Sequence, residues 1–319
     1  MTARPFLLVL GGPTASGKSA LAMHLSSQVP MEIINVDSMQ VYRGMDVGTA
    51  KAGPAEGRRV RHHLLDLCDP DEPFSVGRYI PLFRGKVEEI TTREHLPVAV
   101  GGTGLYLRGA LRGLFEGPAR DEGLRSQLRE KEQHHPGILY TLLEERDPET
   151  ARRTRPSDLV RIIRALEVHT ITGMPISGHQ ARHAFADRPF DARVYCLNPD
   201  RQALYLWIEE RVDSMMASGF LQEVRRLKEK GYSRDLTAMK GLGYRELMAH
   251  LEGETTLEEA VQLIKRNTRR YAKRQITWFR GEEGVMWLDY RSRGEIPEMA
   301  QRIVREVRSA GYPVKGSVS

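Results

Sequence analysis

The chain has 319 residues, 40% of them hydrophobic and 28% charged, with a formal net charge of +6 and a pI near 9.3. This suits an ordinary globular protein of one large or two modest domains, biased toward anionic partners such as nucleic acid. Two cysteines, Cys68 and Cys196, without Cys-x-x-Cys spacing argue against a disulfide framework or a cysteine-rich zinc site. No apolar run approaches the ~18 residues of a membrane span, so no membrane partner is expected. The run after Arg4 is too short for a signal-peptide core, and a cytoplasmic protein is expected.

In chain order, the apolar run Phe6–Leu10 predicts a buried strand, Leu21–Ser27 a helix and Glu32–Val36 a second strand. Ser75–Thr91 predicts a helix and Pro97–Val100 a third strand. This is the βαβ rhythm of a parallel sheet. From Pro118 the sequence turns charged and leucine-spaced, punctuated by Asp147-Pro148 and Arg155-Pro156, and Pro118–Arg188 is read as a helical insertion. Strand signals return at Arg193–Leu197 and Val285–Asp289, separated by helical stretches at Ala203–Lys230 and Leu257–Arg280. The tail, 311–319, is expected to fray. The expected fold is α/β: a P-loop NTPase-like parallel sheet flanked by helices, spanning 1–117 and 189–319, with a mainly helical insertion at 118–188.

Between the first strand and helix lies Gly12-Pro13-Thr14-Ala15-Ser16-Gly17-Lys18-Ser19, which has every fixed position of a phosphate-binding loop in its required context. Such a loop points backbone N–H groups and a helix N-terminus at an anion. Lys18 can reach a terminal phosphate, and the Ser19 hydroxyl can hold Mg²⁺. The second strand ends in Asp37, at the strand end where ligands bind in open α/β sheets. Asp37 can assist a metal, act as a general base or cap a turn. The third strand runs into Gly101-Gly102-Thr103-Gly104, where an ATP-driven motor would carry acids. That makes water-splitting chemistry less attractive.

Residues 265–280 carry seven cations and no acid. On a helix, Lys265, Arg269 and Lys273 form one row, and Arg266, Arg270 and Arg274 the next. A polyanion can neutralise them, while Ala272, Ile276 and Phe279 face a core. Tyr271 and Trp278 suit either base stacking or burial. A solvated surface normally interleaves acids, so a nucleic-acid groove is favoured. A second basic turn, Met239–Arg245, can approach a phosphate backbone.

The phosphate loop, Asp37-Ser38-Met39-Gln40-Val41-Tyr42-Arg43, Gly101–Tyr106, Met239–Arg245 and Arg269–Arg280 occur in one order. Together they resemble the bacterial tRNA dimethylallyltransferases over nearly the whole chain. The resemblance implies transfer of the dimethylallyl group from dimethylallyl diphosphate to N6 of the adenosine just 3′ of the anticodon, in tRNAs reading codons that begin with U. It makes Gly12–Ser19 the diphosphate cradle, Asp37 the general base, and Asp37, Ser38, Met39 and Gln40 the segment touching the extruded adenosine. Lys18 and Thr103 join Asp37 in the catalytic group, and Thr103 also contacts tRNA. The resemblance further implies tRNA contacts at Arg125, at Val160, Arg161, Ile162, Ile163 and Arg164, and at Lys240, Gly241, Leu242, Gly243, Tyr244 and Arg245. A last segment comprises Lys273, Arg274, Gln275, Ile276, Thr277, Trp278, Phe279 and Arg280. Mg²⁺ on Ser19, a tRNA anticodon stem-loop as partner and a monomer are expected. Ala52 and Arg61 stand where relatives often have proline, which bears on loop shape.

An exocyclic adenine amine is a poor nucleophile, so a carboxylate accepting its proton is required, and the departing diphosphate needs positive charge. A P-loop small-molecule kinase would share the loop and Asp37 but leave the basic helix unexplained. An adenylate isopentenyltransferase would have little need of that helix or the insertion. A non-enzymatic RNA-binding protein would leave the phosphate loop without a role.

Overall fold

The computed structural model describes residues 4–115, 117–183 and 187–312. Most of the tail expected to fray, from 313 onward, lies outside the described residues. The first elements are β1 (Phe6–Gly11), α1 (Lys18–Ser26), β2 (Met31–Val36), α2 (Pro54–Arg59), β3 (His62–His63), α3 (Val76–Thr92), β4 (Leu96–Gly101) and α4 (Gly104–Arg112). A run of helices follows: α5 (Glu122–His134), α6 (Ile138–Arg146), α7 (Pro148–Arg153), α8 (Leu159–Thr172) and α9 (Ile176–His183). The chain then forms β5 (Asp191–Pro199), α10 (Arg201–Ala217), α11 (Phe220–Glu229), α12 (Tyr244–Leu251), α13 (Leu257–Arg280), β6 (Val285–Tyr290) and α14 (Ile296–Ser309).

Six strands form one parallel sheet in the order β3-β2-β4-β1-β5-β6. Side chains alternate across β1: Leu8 and Leu10 pack with α1 and α14, while Leu7 and Val9 pack with Tyr79, Phe83 and Val87 of α3. Burial on both faces explains why the strands read as continuous apolar runs. Two compact units result, Met1–Leu111 with Pro189–Ser319, and Arg112–Arg188. The second holds α5–α9 around Leu139, Leu143, Ile162 and Leu166. Its boundary falls at Arg112, six residues before the composition change at Pro118.

Two local expectations need correcting. Ala203–Lys230 is two helices, because Gly219 adopts φ +93° and starts α11. The helix after the phosphate loop begins at Lys18, three residues earlier than read.

Candidate active site

The crevice lies at the carboxyl ends of β1, β2 and β4. Gly12 (φ +136°) and Gly17 (φ +82°) hold backbone that side chains rarely adopt, and Ala15 joins them at φ +64°. The first N–H groups of α1 have no intrahelical partner, the standard basis of an anion site. Lys18 Nζ donates to the carbonyls of Gly12 at 3.0 Å and Pro13 at 2.7 Å. Ser16 is buried, its hydroxyl is unpartnered, and its carbonyl accepts from the Tyr290 hydroxyl. Ser19 is exposed on the first turn of α1.

Asp37 follows β2, and its Oδ1 accepts the Met39 N–H at 2.8 Å. The turn-capping reading therefore holds for one oxygen, and among the described residues no side chain forms an ion pair with Asp37. The Asn35 amide donates to the Asp37 carbonyl at 3.3 Å and to that of Leu64 at 3.3 Å, fixing the segment. Thr103 Oγ1 accepts the Ser38 N–H at 3.1 Å, joining the ends of β2 and β4, and the Tyr271 phenol lies beside it.

Arg211, near the middle of α10, was missed by the sequence reading. It donates to the Thr49 carbonyl at 3.5 Å and bears electrostatically on both Lys18 and Asp37. Burial pulls the Lys18 amine down to about 8; Arg211 adds to that, and Asp37 and Cys196 oppose it. Burial also lowers Arg211, against Asp37. Burial pushes the Tyr271 phenol up to about 12, with Asp37 adding to the shift. Two cations and one carboxylate thus share a crevice without direct pairing. Nothing local flags Arg211: one arginine in a mixed-charge helix has no motif around it.

Helix α13 spans Leu257–Arg280, as the sequence predicts, with Thr256 and Glu259 closing a capping box at its start. Its inner face meets glycines at the strand ends. A Cβ on Gly102 would lie 2.1 Å from the Gln275 amide nitrogen, one on Gly104 2.3 Å from the Trp278 ring, and one on Gly11 2.5 Å from Phe279. On the outer face Arg266, Arg270, Lys273, Arg274 and Arg280 are exposed. Lys265 and Arg269 are already neutralised, by Asp213 at 2.7 Å and Glu209 at 2.5 Å. Helix α10 supplies the acids that residues 265–280 lack, so those two cations do not wait for a polyanion, whereas Lys273 of the same row stays exposed.

Several expected tRNA contacts cannot be side-chain contacts. Tyr244 and Phe279 are each 1% exposed, and Gln275 is 6% exposed and bonded inward. Lys240 and Arg245 are exposed, on a turn that packs Gly241 against Met39 beside Asp37. Gly243 (φ +90°) starts α12. In the helical unit, Ile162 and Ile163 are core residues, whereas Val160 is 77% exposed and Arg161 is also exposed. Arg125 and Arg164 both pair with buried Glu167, at 2.7 and 2.6 Å. Amphipathic helices mix lining and packing residues, and a contiguous motif does not separate them.

The family model described as IPP transferase matches residues 40–282, and one described as isopentenyl transferase matches 6–69. The chain belongs to the IPP transferase family. It is 46% identical over 304 residues to a tRNA dimethylallyltransferase of Desulfosudis oleivorans, covering 95% of this chain and 97% of that relative. It is 49% identical over 305 residues to one of Symbiobacterium thermophilum, covering 94% and 95%. The full-length tRNA isopentenylpyrophosphate transferase of Bacillus halodurans superposes with TM-score 0.71 at 37% identity, covering 96% of this chain and 98% of that one. A eukaryotic dimethylallyltransferase acting on tRNA superposes with TM-score 0.79 at 27% identity, covering 98% and 81%.

Proposed function

We propose that this IPP transferase family member moves the dimethylallyl group from dimethylallyl diphosphate to N6 of the adenosine immediately 3′ of the anticodon. The observation that carries the reading is one crevice holding the phosphate loop with Lys18 on one side and the otherwise unpaired Asp37 on the other. The α1 N-terminus, Lys18 and Arg211 would counter charge developing on the departing diphosphate. Asp37 would take the N6 proton as the C–N bond forms, a step typically worth about 10²–10⁴-fold. Thr103 would hold the Asp37–Gln40 segment in place.

Mg²⁺ suits this donor set. It is usually held by one or two protein groups completed by phosphate oxygens and water. Ser19 offers an exposed hydroxyl, and among the described residues no group of three or more His, Cys, Asp or Glu could hold a metal without them. When bound, the ion would neutralise diphosphate charge. The anticodon stem-loop would meet exposed cations of α13, Lys240 and Arg245. Extruding a base costs a few kcal/mol, which phosphate contacts can offset.

The test is the mass of an anticodon stem-loop RNA after incubation with the protein, Mg²⁺ and dimethylallyl diphosphate, beside a control with guanosine at the target position. A gain of one dimethylallyl group on the first RNA alone supports the reading. No gain, with phosphate transferred from ATP in a parallel reaction, would favour a kinase.

A further inference from the structure

Two long-range hydrogen bonds converge where α13 crosses the strand ends. The Thr14 N–H of the phosphate loop donates to Gln275 Oε1 at 2.8 Å, across 261 residues of sequence. Gln275 Nε2 donates to the Gly102 carbonyl at 3.0 Å, across 173 residues. Gly102 has no room for a side chain because that amide occupies its Cβ position. One turn earlier on the same face, Tyr271 lies beside Thr103, the residue after Gly102. A primary amide offers a donor and an acceptor together; a carboxylate would set oxygen against the Gly102 carbonyl, and an apolar chain would satisfy neither group.

We infer that Gln275 is a positioning residue for prenyl transfer, clamping the phosphate loop to the end of β4 so that diphosphate and Asp37 keep one relative geometry. This deepens the proposed function and rests on it. The clamp satisfies the Thr14 N–H within the protein, leaving the diphosphate to the N–H groups at the start of α1. It also separates the roles of α13. The outer face presents cations, while Gln275, turned inward, fixes atoms it does not itself touch in the substrates. Misplacement of reacting groups by about 1 Å can cost 100-fold.

The test compares wild type with Gln275→Met, which keeps the volume and loses both hydrogen bonds. Three readouts are taken: kcat/KM for dimethylallyl diphosphate at saturating stem-loop RNA, the RNA dissociation constant and its salt slope, and the thermal midpoint. The expected result is a fall of about 10- to 100-fold in kcat/KM with RNA affinity and salt slope unchanged. Weakened RNA binding with unchanged kcat/KM would overturn the inference, as would equal loss of both. A lowered midpoint with kinetics intact would reduce Gln275 to a packing residue and also overturn it. Should the methionine variant fail to fold, Gln275→Glu keeps the acceptor for Thr14, loses the donor and is expected to show the same kinetic loss. An inactive wild type would instead strike the functional reading itself.

Discussion

Asp37 in the sheet unit and Glu167 in the helical unit are both carboxylates set among cations, and they are treated oppositely. Glu167 is fully buried, binds Arg125 and Arg164, accepts the Asp121 N–H at 2.9 Å, and is held down to about 2, these bonds outweighing burial. Asp37 feels Lys18 and Arg211 electrostatically but closes an ion pair with neither. A carboxylate whose lone pairs are filled by its neighbours is structural. One left with an open oxygen beside a phosphate loop can take a proton. The helical unit spends its charges on its own cohesion, and the crevice keeps its charges for substrates.

The contrast can be broken most severely at the crevice cations. Lys18→Ala or Arg211→Ala is expected to lower kcat by about 10²–10³-fold, as removal of one charge-stabilising group does, with little loss of thermal stability, because among the described residues neither cation holds an ion pair. A stability loss tracking the rate loss, seen by calorimetry, would place Arg211 with Glu167 as a structural charge. Glu167→Ala should do the reverse, destabilising the helical unit by about 3 kcal/mol by leaving two partly buried arginines uncompensated. Denaturant melts that show no change would remove the distinction.

A third test uses pH. Lys18 counters diphosphate only when protonated, and its depressed value of about 8 belongs to the free protein. Raising pH through about 8 should therefore lower kcat/KM for dimethylallyl diphosphate by about tenfold per unit, since kcat/KM reports free-enzyme groups. Between about 8 and the ordinary lysine value the unfolded chain binds more protons, so this amine's contribution to stability rises with pH there. A flat kcat/KM profile to pH 9.5 would assign the charge to Arg211 alone. The smallest effect is expected on α13. Arg270→Ala and Arg274→Ala should each reduce the RNA salt slope by about one. Arg269→Ala should change it less, because Glu209 already holds that guanidinium. Equal slopes would contradict the two-faced helix.

What was legible in the sequence is mostly encoded contiguously. The phosphate loop, the acid just after β2, and the span of α13 all lie in short strings whose chemistry is local, whereas the Thr256–Glu259 capping box, equally local, was not read. The break at Gly219 was also written in the chain but hidden inside a helical pattern. The two-residue β3 is too short to show periodicity. What stayed illegible depends on distant partners. Arg211 gains meaning only beside Lys18 and Asp37, Gln275 only against Thr14 and Gly102, and the pairing of Lys265 and Arg269 only once α10 lies alongside. A basic run looks the same whether its partner is RNA or a neighbouring helix.

The central claim concerns Asp37, and it is tested most directly by the single-turnover rate of prenyl transfer by Asp37→Asn with RNA and dimethylallyl diphosphate saturating, alongside its RNA dissociation constant. Asparagine keeps an acceptor for the Met39 N–H but is not a base. The account predicts a rate lower by about 10²–10⁴-fold with RNA affinity unchanged. A near-normal rate, or a loss wholly matched by weaker RNA binding, would contradict it.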